Sequence, residues 1–63
     1  MNTAKFKMGQ RVYSVLNAEA RGIVTGLLYR PTTVLYLVTW SDMREMEHSD
    51  IELSEEPVRD FAD

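Results

Sequence analysis

A chain of 63 residues without a single cysteine has room for one small core and must hold it without disulfides, thiolate chemistry or the usual zinc knuckles, which excludes a two-domain enzyme. Its 44% hydrophobic and 27% charged residues are the composition of an ordinary folded domain and not of a disordered chain. The formal net charge of −3 hides a division: Met1 to Ser41 carries Lys5, Lys7, Arg11, Arg21 and Arg30 against Glu19 alone, whereas nine carboxylates from Asp42 onward stand against Arg44 and Arg59.

Residues 1–5 are polar and aperiodic and read as a flexible N-terminal arm. No apolar stretch follows Met1, so no signal peptide is expected and a cytoplasmic location is. Folded structure is expected over residues 6–53. Gly9 supplies a turn into a first strand, Arg11–Leu16, where Val, Tyr, Val and Leu favour extended backbone. After a polar connection over residues 17–20, the segment from Gly22 to Tyr29 forms a second strand. Its two interior glycines point to a bend or a close backbone approach. Arg30-Pro31-Thr32-Thr33 is a turn, because Pro31 fixes its own φ and drives Arg30 out of the helical region.

Val34 to Trp40 is the strongest strand in the chain. The two-residue period puts Val34, Tyr36, Val38 and Trp40 on one face and Leu35, Leu37 and Thr39 on the other. Both faces are therefore largely apolar, and something is expected to cover the second: the chain's own tail, a second copy, or another protein. Ser41 and Asp42 turn the chain into a more polar edge strand, Met43–His48. A short 3-10 turn at Ser49-Asp50 precedes a last strand, Ile51–Leu53. Residues 54–63 form an acidic tail, flexible or helical, in which Val58 and Phe61 are spaced to dock on the core. The longest uncharged stretch, between Arg30 and Asp42, is broken by Pro31, Thr32, Thr33, Thr39 and Ser41 and is too short and polar to cross a bilayer.

Five short strands in meander order predict an all-β fold, a five-stranded small barrel. Phe6-Lys7-Met8-Gly9-Gln10-Arg11-Val12, Gly22-Ile23-Val24-Thr25-Gly26 and Tyr36-Leu37-Val38-Thr39-Trp40 resemble the pattern of Tudor, KOW and related SH3-like barrels, and Asp50-Ile51-Glu52-Leu53 resembles their closing strand. The resemblance covers residues 6 to 53. The opening strands are also similar to those of the plasmid-encoded type II dihydrofolate reductase. That family builds its pore from four chains and carries a Val-Gln-Ile-Tyr motif on its active-site strand. The corresponding Met43-Arg44-Glu45-Met46-Glu47 lacks the Gln and the Tyr, and its carboxylates would repel a dianionic cofactor. Such a reductase is kept as the least favoured alternative.

Little else in the chain promises chemistry, and no catalytic residue, metal or cofactor is expected. His48 is the one imidazole, and with Glu47 and Asp50 it lacks a second nitrogen ligand for a transition metal, so an exposed polar edge is the simpler reading. Ser49, His48 and Asp50 are adjacent on a turn, where a nucleophilic relay cannot be held, and no oxyanion loop accompanies them. Gly22 to Gly26 lies within a strand and lacks the helix that a phosphate loop requires. A Tudor-like barrel captures methylated cations in an aromatic cage. Here Tyr36 and Trp40 are assigned to the core, leaving Tyr13 and Tyr29 exposed, and two rings make a poor cage.

These observations predict a non-enzymatic interaction module that binds another protein, or itself, through the Leu35/Leu37 strand face. Tyr29, Leu35 and Leu37 are the candidate apolar anchors, with Arg30 and Arg44 orienting an acidic partner, or Glu45, Glu47 and Glu52 a basic one. Its size and acidic tail are in the style of phage, prophage or plasmid accessory proteins. The alternative is a KOW-like RNA or DNA binder using Lys5, Lys7, Arg11 and Arg21, with Tyr13 or Tyr29 stacking on bases.

Overall fold

A computed structural model describes residues 4–57 of the chain. Its strands are β1 (Arg11–Ser14), β2 (Arg21–Tyr29), β3 (Val34–Trp40), β4 (Glu45–Ser49) and β5 (Leu53–Ser54), with a 3-10 turn, Asp50–Glu52, before the last. All five belong to one antiparallel sheet in the order β4-β3-β2-β1-β5. Among the described residues β4 pairs only with β3, and β5 only with β1, so the sheet is open between its two ends. Closure into a barrel, expected from the sequence, is not seen in this pairing. The expected docking of Val58 and Phe61, and residues 1–3 of the expected arm, lie outside the described residues.

Three of the four long strands are cut short or shifted by turn chemistry. β1 ends at Ser14 and not at Leu16, because the Ser14 hydroxyl accepts the N–H groups of Leu16 and Asn17 and curls the chain away. Asn17 continues the turn, its side-chain oxygen accepting the Glu19 N–H. β2 starts one residue early, at Arg21, which pairs with Tyr13. β4 starts at Glu45 and not at Met43. Trp40 C=O accepts the Met43 N–H, Arg44 C=O accepts the Trp40 N–H, and Met43 takes φ +74°, the left-handed residue that ends a three-residue hairpin loop.

The last strand is likewise displaced. Ile51 lies in the 3-10 turn and is 81% exposed, and it is Leu53, buried at 3%, that returns to the sheet opposite Ser14. Ahead of β1, Gly9 adopts φ +82°, and the Gly9 N–H and Gln10 C=O bond to the C=O and N–H of Val24. Only glycine takes this left-handed turn without steric cost.

β3 is the spine of the sheet, alternating buried and half-buried along its whole length. Its inward face gives Val34, Tyr36, Val38 and Trp40 to a core completed by Phe6, Val12, Val24 and Leu53. Phe6 stands edge-on to Tyr36 with ring centroids 5.2 Å apart, and the buried Tyr36 hydroxyl accepts the Lys5 N–H at 2.7 Å. Ala4, Ala20 and Leu27 pack against this cluster. Gly22 faces inward too, where its lack of a side chain leaves room for Val38 and Trp40.

Candidate functional site

The face of the sheet turned away from the core is where unassigned features collect. Antiparallel pairing sets residues opposite one another on the same face, so the register can be read directly as rows across the sheet. One row runs Glu45, Thr39, Ile23, Arg11 from β4 to β1. A second runs Glu47, Leu37, Gly26, and a third Ser49, Leu35, Leu28. At the end of β1, Tyr13 lies opposite Arg21.

A β-bulge makes these rows possible. Val24 pairs with Val38 but Gly26 with Leu37, so Thr25 is the extra residue in β2. Its hydroxyl lies 3.4 Å from the Leu37 carbonyl oxygen and 3.1 Å from the Thr39 hydroxyl, on the outer face. Beyond the bulge the alternation of β2 is reversed. Leu27 therefore packs on the core while Leu28 turns outward opposite Leu35. Leu37 lies over Gly26, with its Cβ and Cδ2 at 3.1 and 3.3 Å from where a side-chain carbon would stand. This cover explains why Leu37 is half-buried without help from another chain.

Ile23, 47% exposed, and Leu28 join Leu35 and Leu37 in an apolar stripe down the middle of the face. Arg11, on β1, lies on one side of it and Glu45 and Glu47, on β4, on the other, while Arg21 continues the line of β2 beyond Ile23. At the basic end the surface forms a groove of about 560 Å³, whose walls include Arg11, Tyr13, Arg21, Ile23, Thr39 and Met43, with no carboxylate among its lining residues.

The structure divides the residues expected to bind. Leu35 and Leu37 are on the outer face as predicted by alternation. Tyr29 is not with them: it lies opposite the buried Val34, at the far end of β2, and is 64% exposed. Arg30 sits in the adjoining turn, closed by its own N–H and C=O bonds to Thr33. Arg44 is at the other end of the sheet in the β3–β4 turn, 3.4 Å from Asp42. Of the alternative set, Arg11, Tyr13 and Arg21 converge in the groove. Lys5 and Lys7 do not line it; the Lys5 ammonium stands 5.5 Å over the Phe6 ring and Lys7 is exposed. Tyr13 and Tyr29 occupy different ends and faces, so they form no joint aromatic cage. Ile23 and Leu28 are not singled out by the sequence: a plain two-residue period through β2 puts them on opposite faces, and only the reversal at the bulge brings Leu28 to the face of Ile23.

His48 also differs from the expected exposed edge residue. Its side chain is only 17% exposed, and Trp40 Nε1–H donates to its Nε2 at 3.0 Å while Nδ1 lies 3.0 Å from Glu52 Oε1. The indole nitrogen can only donate, so Nε2 must be the bare acceptor and Nδ1 carries the proton given to Glu52. The same carboxylate oxygen accepts the Ser49 N–H. The imidazole thus ties β3, β4 and the 3-10 turn together, and both its nitrogens are engaged. It flanks a second hollow of about 390 Å³ lined by Trp40, Asp42, Arg44 and Met46 among others.

The fold and face together define an all-β chain built on one five-stranded antiparallel sheet. No protein-family model, curated protein or solved structure matches it. Among the described residues no helix is long and apolar enough to cross a membrane.

Proposed function

We propose that the protein is a non-enzymatic interaction module, an SH3-like small barrel in architecture, that binds another protein through the outer face of its sheet. The observation that carries this reading is the apolar stripe of Ile23, Leu28, Leu35 and Leu37 set between Arg11 on one side and Glu45 and Glu47 on the other. An apolar centre rimmed by charge is the anatomy of a protein interface, where the centre supplies affinity and the rim supplies orientation. The strand order and the 3-10 turn before β5 support the barrel comparison. Leu37→Asp places a charge in the middle of the stripe without touching the core. It is expected to leave far-UV circular dichroism unchanged and to abolish partner capture. Capture that survives both Leu37→Asp and Ile23→Asp would overturn the reading.

Convergence of Arg11, Tyr13 and Arg21 in one groove free of carboxylates favours a second reading, binding of single-stranded nucleic acid. Two guanidiniums would neutralise phosphates and the phenol ring would stack on a base. A mobility shift that weakens steeply with salt, and with Arg11→Ala or Arg21→Ala, is the expected sign. No shift at low salt excludes it.

A further inference from the structure

We infer that the protein bound by the outer face is a second copy of this chain, related to the first by a two-fold axis parallel to the strands. The inference rests on the interaction reading above and names its partner. Its basis is the lateral order of charge: Glu45 and Glu47 on β4, mainly uncharged residues on β3 and β2 with Arg21 only at the end of β2, and Arg11 on β1. A face that is acidic on one side and basic on the other is complementary to itself when one copy is turned over.

Only one of the two simple face-to-face arrangements uses this. Rotation about an axis running along the strands between β2 and β3 exchanges left and right, so β4 of the second copy lies over β1 of the first. Heights along the strands are kept. Glu45 of each copy then comes opposite Arg11 of the other, since both belong to a single row. The second copy's β3 lies over β2, which sets Leu35 against Leu28 at the centre. Rotation about an axis across the strands would instead stack β4 on β4 and bring glutamates together, which repel. Packed sheets stand about 10 Å apart, within reach of arginine and glutamate side chains. A C2 interface of this kind is isologous: every contact occurs twice. For so short a chain the added burial also enlarges a core that is small by itself.

The experiment uses the full chain and two charge reversals. Wild type is expected to show a concentration-dependent dimer by sedimentation velocity, weakened by salt. Arg11→Glu alone gives a chain with glutamate at both sides of the row, and Glu45→Arg alone gives arginine at both. Each is expected to dimerise about tenfold more weakly or worse, because like charges now meet. Mixed in equal amounts, the two variants are expected to form a heterodimer at wild-type strength, as both contacts become opposite-charge pairs. Circular dichroism of each single variant confirms folding, and recovery on mixing is itself something that misfolded chains would not show. A folded wild type that stays monomeric throughout, a dimer indifferent to both reversals, or no recovery on mixing would overturn the inference. The interaction reading would survive a monomer whose capture of a different protein is lost on Leu37→Asp, so the two failures are distinguishable.

Discussion

At Gly22 a side-chain carbon would stand 2.6 Å from Val38 Cγ1, 2.8 Å from Trp40 Cε3 and 3.1 Å from the Thr39 carbonyl oxygen. Two of these neighbours belong to the packed core and the third is backbone, so none can yield cheaply. Gly22→Ala is therefore expected to cost about 1–3 kcal/mol by overpacking, read from chemical denaturation. His48 is held as tightly by hydrogen bonding as Gly22 is by space. Nitrogen-15 NMR is expected to find its proton on Nδ1, and finding it on Nε2 would contradict the Trp40 contact. His48→Ala removes the partner of the part-buried indole N–H and is expected to destabilise by about 1 kcal/mol.

Among the elements, the β3–β4 hairpin carries visible strain. Met43, at φ +74°, occupies the loop position where glycine is usual. A left-handed non-glycine residue costs about 1–2 kcal/mol, partly offset by the larger entropy that glycine loses on folding. Met43→Gly is thus expected to raise the melting temperature, whereas the β-branched Met43→Val lowers it, the two opposite signs being read from one pair of thermal melts. The β2 bulge is the other decisive element. Its extra residue, Thr25, turns Leu28 out to face Leu35 and Leu27 in to the core. The glycine after it is legible in the sequence as a weak point in a strand, but its consequence depends on the register with β3, which no local pattern encodes.

For the molecule as a whole, the open sheet sets an order of stability. Among the described residues β2 and β3 are hydrogen-bonded on both sides, while β4 and the two-residue β5 are paired on one side only. Amide exchange is expected to be slowest in β2 and β3 and fastest in β5 and the outer edge of β4, since edges open without breaking the core. Uniform protection would instead mean that β4 and β5 are covered, by closure or by another chain. The division of charge along the sequence becomes a division across space. The basic half supplies β1 and β2, the acidic half supplies β4, and the apolar β3 keeps them apart. Residues distant in the chain, such as Arg11 and Glu45, thereby share a row.

The sequence by itself determined the strand content, the two-faced character of β3, the core assignment of Tyr36 and Trp40, and the polar edge formed by β4. These follow from side-chain period and β propensity, which act over a few neighbouring residues. Strand ends at Ser14, Met43 and Ile51 escaped it because side-chain hydrogen bonds and backbone twist outweigh propensity there. Only the tertiary structure decided that Ile23 and Leu28 complete the apolar stripe, that Arg11, Tyr13 and Arg21 meet while Tyr29 and Arg44 stand apart, and that His48 is bonded inward. Each of these depends on which residue of one strand lies opposite which residue of another. Register is settled by the packing of the whole sheet, where a single extra residue at Thr25 exchanges inside for outside.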